Sequence, residues 1–402
     1  MKTASGIGEG RDLAEAVAAA GQAVSAGLGG APADWVIAFV SHAFQKDFSR
    51  LHDLLAATLP FRSLLGCSAS GVIGGGHELE GRSAVSLWAA SLPGVKILTF
   101  HARDADLPDL DVGPSPWRAL VGTGADGDPP IVVLADPFSI RVGDLLAGFD
   151  FAYPRSVKIG GLSSGAKRAG ESALWAGSGF YRAGAVGAAL AGPVEMDALV
   201  AQGCRPVGQV LRVTGAEKNL LLSLNGEPAL RMLEQTIVGL TERDRVLAQK
   251  SLFLGILTDE FREEPPGPGD FLVRSLIGVD PNRGIIAVGE ALNPGQTVQF
   301  HVRDPASSRE DLESALARYS KSEQAGNASG ALLFSCLGRG QGLYGEPDHD
   351  TGRFREVLGE IPVGGFFGNG EIGPLGGATR LHGFTSVFGV LREMQPREEP
   401  SE

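Results

Sequence analysis

Three times along the chain, a short unbroken apolar run is followed by a polar loop, a helical segment, a second short run, a glycine-rich loop and a hairpin-like stretch. An internal repeat of this kind constrains the fold more than any single residue, because each copy must become the same supersecondary unit. Copy one reads AFVSHAF (38–44), Asp53-Leu54-Leu55-Ala56, LLGCSASGVI (64–73), then the alternating segment Ser83 to Trp88. Copy two reads VLADPFS (133–139), Asp144-Leu145-Leu146-Ala147, KIGGLSSGA (158–166), then ESALWAGSGF (171–180). Copy three reads LLFSCLG (332–338), RFREVLGEI (353–361), VGGFFGNGEIG (363–373), then LHGFTSVFGVLRE (381–393). Val36 to Val40, Ile131 to Ala135 and Leu332 to Phe334 are expected to be strands covered on both faces. The fold class is mixed α/β, with strand-helix-strand units and an antiparallel hairpin in each. Right-handed crossovers then gather the polar loops at the carboxyl edges of the sheets.

Around the repeats, Leu13, Val17, Ala20, Val24 and Leu28 form a narrow apolar stripe that stops at Gly29-Gly30, which predicts an opening helix. Ser251 to Leu257 reads as a further buried strand, and Glu263 to Asp270 as an exposed loop. GIIAVGEAL and TVQFHVRD are expected to pair around Asn293-Pro294-Gly295. A division falls near Leu221 to Asn225, giving two halves, 1–220 and 221–395, with 396–402 as a solvated tail.

Lys+Arg 35 against Asp+Glu 47 leaves a net charge of -12, which repels a phosphate backbone, so no nucleic-acid partner is expected. Cys67, Cys204 and Cys336 are far apart and in no metal-binding spacing, and read as reduced thiols of a cytoplasmic protein. The first twenty residues lack an apolar leader core, and no apolar run reaches membrane-spanning length.

At the glycine loops the sequence resembles a known family. GCSASGVI (66–73) and the alternating strand after it are similar to the N-terminal half of the FIST domain. LLFSCLGRGQGLYGEPDHD (332–350) and IPVGGFFGNGEIGP (361–374), followed by LHGFT, are similar to its C-terminal half. Together the halves cover about residues 10 to 392. The resemblance implies a cytoplasmic sensory protein for a small ligand, amino acids among the candidates. It also implies a signalling partner on a separate protein, because no output domain accompanies the two halves here. No cofactor, metal or catalytic activity is implied.

Candidate ligand-binding residues follow from the loops. Small residues at Cys67, Ser68 and Ser70, at Ser163 and Ser164, and at Asn369 let backbone N–H groups and hydroxyls face a ligand; the alternative for any one loop is a plain tight turn. Arg339 offers a planar fork for a carboxylate, and its alternative is a pair with Asp348 or Asp350. Cys336 lies beside it. Glu371, in an apolar stretch, or Asp136, after the second strand, would take an amine. GLSSG also fits a nucleophile elbow, which would make Ser163 a serine-hydrolase nucleophile with His301 or His382 downstream, although the other copies break the pattern. A third reading is a protein-interaction scaffold. Asp348-His349-Asp350 has metal-ligand residues without a spaced second set, and His42 could line the same cleft.

Overall fold

The protein is seen in a computed structural model that describes residues 1–124, 127–267 and 269–394. The tail expected at 396–402 lies outside the described residues. Helices and strands alternate in mixed sheets, so the α/β class holds.

The first unit runs β1 (Lys2–Glu9), α1 (Leu13–Leu28), β2 (Ala33–Ser41), α2 (Leu51–Thr58), β3 (Phe61–Ala69), β4 (Gly71–Gly74), β5 (His77–Glu80) and β6 (Ala84–Ser91). The second runs β7 (Lys96–Ala102), α3 (Pro114–Val121), β8 (Ile131–Ala135), α4 (Val142–Ala152), β9 (Lys158–Leu162), β10 (Leu174–Ala176), β11 (Gly179–Tyr181) and β12 (Ala185–Ala191). The third opens with β13 (Val194–Gln202) and is then interrupted by β14 (Cys204–Glu217), β15 (Leu220–Leu224), β16 (Glu227–Pro228), α5 (Ala229–Gly239), α6 (Glu242–Lys250), β17 (Leu252–Leu257), β18 (Phe271–Asp280), β19 (Ile285–Val288) and β20 (Thr297–Arg303). It resumes with α7 (Pro305–Ser320), β21 (Ala328–Cys336), α8 (Gln341–Tyr344), α9 (His349–Leu358), β22 (Val363–Gly368), β23 (Glu371–Leu375), β24 (Ala378–His382) and β25 (Thr385–Glu393).

The three repeat sheets have one topology. In the first the order is β1-β6-β2-β3-β10-β11, in the second β7-β12-β8-β9-β23-β24, and in the third β13-β25-β21-β22-β4-β5. In every case the two central strands are parallel and the flanking strands antiparallel. The last two strands of each sheet are lent by another unit: the second unit's hairpin completes the first sheet, the third's completes the second, and the first's completes the third. The units are therefore joined by a cyclic exchange around a pseudo-threefold axis.

The inner faces of the three sheets meet in one core, where Phe39 stacks on Phe366 at 5.0 Å between centroids and both meet Phe334 edge-on. Helices cover the outer faces: α1 and α2 on the first sheet, α3 and α4 on the second, α7 and α9 on the third. This double cover explains why β2, β8 and β21 read as unbroken apolar runs. It also corrects the alternating reading of Ser83 to Trp88, since every residue of β6 is buried. Glycine recurs where each parallel strand crosses its central partner: a Cβ at Gly66, Gly160 or Gly365 would lie 2.4, 1.8 or 1.8 Å from the carbonyl of Ala38, Val133 or Leu333.

The inserted strands β14 to β20 form a separate seven-stranded sheet with its own core under α5 and α6. The expected pair of GIIAVGEAL and TVQFHVRD does not form, because β17 and β18 stand between β20 and β19. Residue 220, where the halves were expected to part, opens β15 inside this inserted sheet.

Candidate functional site

The glycine-rich loops after β3, β9 and β22 meet at the pseudo-threefold axis, as equivalent loops of a repeat should. There they close on one another. Ser164 N–H donates to the Ser68 carbonyl and Asn369 N–H to the Leu162 carbonyl, both at 3.1 Å. The third link passes through a side chain: Ser70 N–H donates to Ser164 Oγ at 2.8 Å, and that hydroxyl donates to the Phe367 carbonyl at 2.5 Å. Ser68 Oγ accepts from Ala173 N–H at 3.0 Å, and Asn369 Nδ2 donates to the Ser163 carbonyl at 2.9 Å. Cys67, Ser68, Ser163 and Ser164 have no exposed surface, so no cleft opens at these four, whereas Asn369 is exposed.

Ser163 Oγ donates to Ser172 Oγ at 3.2 Å, and Ser172 donates to Asp136, which is also bonded by Ser139. No imidazole enters this chain. His301 is bonded to the Gln299 carbonyl and His382 to that of Gly373. An elbow also needs a strand-turn-helix context, whereas Ser163 leads into β10. The buried Asp136 satisfies serine hydroxyls and does not border the main cavity.

Arg339 takes the structural alternative that the sequence offered. It is wholly buried, with Nε and Nη2 donating to the two carboxylate oxygens of Asp350 at 3.0 and 3.2 Å and Nη1 to Ser308 Oγ at 2.9 Å. A guanidinium at zero exposure requires such a partner, and the partner holds the Asp350 carboxyl below its usual range despite burial. Asp348 serves another contact, accepting from Glu78 N–H at 2.6 Å. Among the described residues no group of three or more His, Cys, Asp or Glu side chains could hold a metal.

Among the described residues a cavity of about 1030 Å³ lies between the inserted sheet and the third unit. Its floor is Cys336 at the end of β21, Asn369 after β22, and Phe384. One wall is α4 with Leu146, Ala147 and Asp150, together with Thr379 to His382 of β24. The opposite wall is Ile256 to Thr258 at the end of β17 and Leu272 to Ser275 of β18. The cleft thus sits beyond the carboxyl ends of a parallel strand pair, where open α/β sheets leave a crevice.

Of the residues singled out in the sequence, the cleft brings together Cys336, Asn369 and His382, the last named there only as a possible partner of Ser163. Glu371 lies behind the floor, fully buried beside the Cys336 thiol, with one oxygen accepting from Thr385 N–H at 3.2 Å and the other without a partner. Burial pushes its carboxyl well above the ordinary value, and burial followed by Glu371 pushes the Cys336 thiol up to about 11. The Cys336 thiol is uncharged at neutral pH. Ser68, Ser70, Ser163, Ser164, Cys67, Asp136, His42 and Arg339 do not line the cleft.

The charged residues of the cleft were not singled out in the sequence. Asp150 is paired with Lys158 at 2.9 Å and accepts from Thr379 N–H and Oγ1. Glu290 is paired with Arg274 at 2.9 Å, and Glu260 accepts from Thr297 N–H and Oγ1. Arg380 makes no ion pair or side-chain hydrogen bond among the described residues. His382, pushed down to about 4 by burial, is neutral; since a carbonyl can only accept, its Nε2 carries the proton to Gly373 and Nδ1 is left as an acceptor.

Comparison with known proteins gives the same two-part reading. Residues 34–227 match the FIST N domain and residues 229–374 the FIST C domain. An uncharacterized protein of Mycobacterium tuberculosis is 38% identical over 346 residues, spanning 84% of this chain and 87% of the relative. One of Mycobacterium bovis is 37% identical over 383 residues, spanning 94% and 95%. Among solved structures, a cyanuric acid hydrolase from A. caulinodans aligns over 98% of this chain and 99% of that one, at 10% identity and a TM-score of 0.33, too weak a likeness to bear on activity.

Proposed function

The chain belongs to the FIST family, whose domains are generally small-ligand sensory modules, and on that footing we propose that an amino acid or a metabolite of similar size binds in the cleft between the inserted sheet and the third unit. One observation carries the reading: the cavity of about 1030 Å³ has walls from two separately cored bodies, so a ligand in it touches both. Volume in this range suits a small metabolite, and Cys336, Asn369 and His382 supply polar contacts without charge. A ligand that binds best when the two walls are close shifts the population toward that arrangement, and a partner protein that reads the position of the inserted sheet would receive the signal. The protein acts in the cytoplasm in this reading, and no bond is made or broken in the ligand.

A thermal-shift screen of amino acids and small metabolites tests it. A ligand at about 100 times its Kd stabilises the folded state by about 2.7 kcal/mol, and the rise should vanish in Ala147→Trp, which fills the cleft from a solvent-facing position of α4. An equal rise in that variant, or none with any compound in the wild type, defeats the cleft as the site.

A further inference from the structure

We propose that the ligand carries a carboxylate, and that this group is held between Arg380 of β24 and Arg274 of β18. The inference rests on the cleft being the ligand site, and goes further by naming the chemistry that recognises the ligand and the contact through which it acts.

Five charged side chains line the cleft, and four have their partners in the protein: Asp150 with Lys158, Glu260 with Thr297, and Arg274 with Glu290. Arg380 is the exception. Its Nε is buried and without an acceptor, and no carboxylate among the described residues lies within 4.0 Å of its guanidinium. An unmatched buried donor on a cation costs free energy that a bound anion would recover. The planar fork of a guanidinium matches a carboxylate in shape.

Arg274 stands close enough to feel this charge. Burial, in the first place, lowers its pKa, and Arg380 lowers it further against the pull of Glu290. Both arginines also help to keep His382 neutral. Arg274 and Glu290 cancel, as do Asp150 and Lys158, so the unpaired cation at Arg380 shares the cleft with the Glu260 carboxylate, a balance that suits a singly charged carboxylate better than a phosphate dianion. The rest of the ligand then faces the uncharged floor of Cys336, Asn369 and His382.

The two arginines belong to different bodies, Arg274 to the inserted sheet and Arg380 to the hairpin that the third unit lends to the second sheet. Without an anion they repel. With one between them the sign of the interaction reverses, and the inserted sheet is drawn toward the hairpin.

Propionate, inorganic phosphate and chloride, titrated at constant ionic strength, provide the test. Tm is followed for the wild type, Arg380→Gln, Arg274→Gln and the surface control Arg11→Gln. Propionate should raise Tm saturably, with a midpoint at least tenfold higher in Arg380→Gln, severalfold higher in Arg274→Gln and unchanged in Arg11→Gln. It should also slow amide exchange in β18 and β24 of the wild type. Because Arg380 has no partner to strand, Arg380→Gln should fold normally. A propionate response that is absent, or unaltered in Arg380→Gln, overturns the assignment, and a lower midpoint for phosphate than for propionate overturns the carboxylate. If propionate is silent while a neutral metabolite stabilises the wild type and not Ala147→Trp, the anion site fails and the cleft stands. If compounds stabilise Ala147→Trp equally, the cleft itself fails.

Discussion

Arg339 and Asp350 face each other in a two-pronged ion pair from which water is wholly excluded. The pair joins the loop after β21 to α9, and Ser335 and Ser386 also bond the same carboxylate. Arg339→Met should therefore leave a buried, unpaired Asp350 and cost about 3–5 kcal/mol. Chemical denaturation of the ligand-free protein measures it. A loss below about 1 kcal/mol would show that the pair is not structural.

Glu78 gives the fold a pH signature. It lies on β5 of the first unit, accepts from Thr351 N–H at 2.7 Å at the start of α9, and is pushed up to about 8, first by burial and then by Asp350. A carboxyl whose folded value exceeds the ordinary 4.5 favours folding fully below pH 4.5, and that contribution is lost as pH rises toward 8. Stability should fall between pH 6 and 8 by up to about 1.4 kcal/mol per unit. Glu78→Gln should flatten that slope, as urea titrations across the range would register; an unchanged slope assigns the dependence elsewhere.

Two glycine substitutions should act in opposite directions. At Gly365 a Cβ would sit 1.8 Å from the Leu333 carbonyl, with backbone on both sides, so Gly365→Ala should destabilise by about 3 kcal/mol or more. At Gly352, inside α9 with nothing within 4 Å of the new methyl, Gly352→Ala should stabilise by about 0.5–1 kcal/mol. Comparing their Tm values with the wild type tests whether the recurring glycine marks strand crossing.

Ser163→Ala removes a hydroxyl whose only bond among the described residues is to Ser172. It should cost about 1 kcal/mol and leave ligand affinity within about twofold. A fluorophosphonate probe should not label the wild-type protein at this position; labelling that disappears in Ser163→Ala would restore the serine-hydrolase reading.

Much of the architecture is legible in the sequence because burial on both faces leaves a plain mark. Val36 to Val40, Ile131 to Ala135 and Leu332 to Phe334 are central strands, and the opening helix begins at Leu13 and ends at Leu28, as the apolar stripe predicts. The exchange of hairpins is not legible: Leu174 pairs with Cys67, and Val72 with Phe366, through contacts that no local pattern encodes. The inserted sheet hides for the same reason, since β19 and β20 look like neighbours along the chain and are parted in space.

The site is less legible still. Cys336 and Asn369 are found by the repeat because the cleft borders one of its loops. Arg274 and Arg380 lie outside the repeated loops, Arg274 in the insert and Arg380 in the exchanged hairpin. What distinguishes Arg380 is a missing partner, and a missing partner has no sequence pattern.

The cyclic loan of hairpins also dictates an order of events during synthesis. The β4–β5 hairpin leaves the ribosome early, yet its acceptor strand, β22, begins at Val363. Throughout the intervening translation the hairpin has no sheet to join, and its backbone edge is open to pairing with other chains. Truncation after the inserted sheet would make that exposure permanent, and the most vulnerable product of this gene is then the fragment that lacks only its last unit.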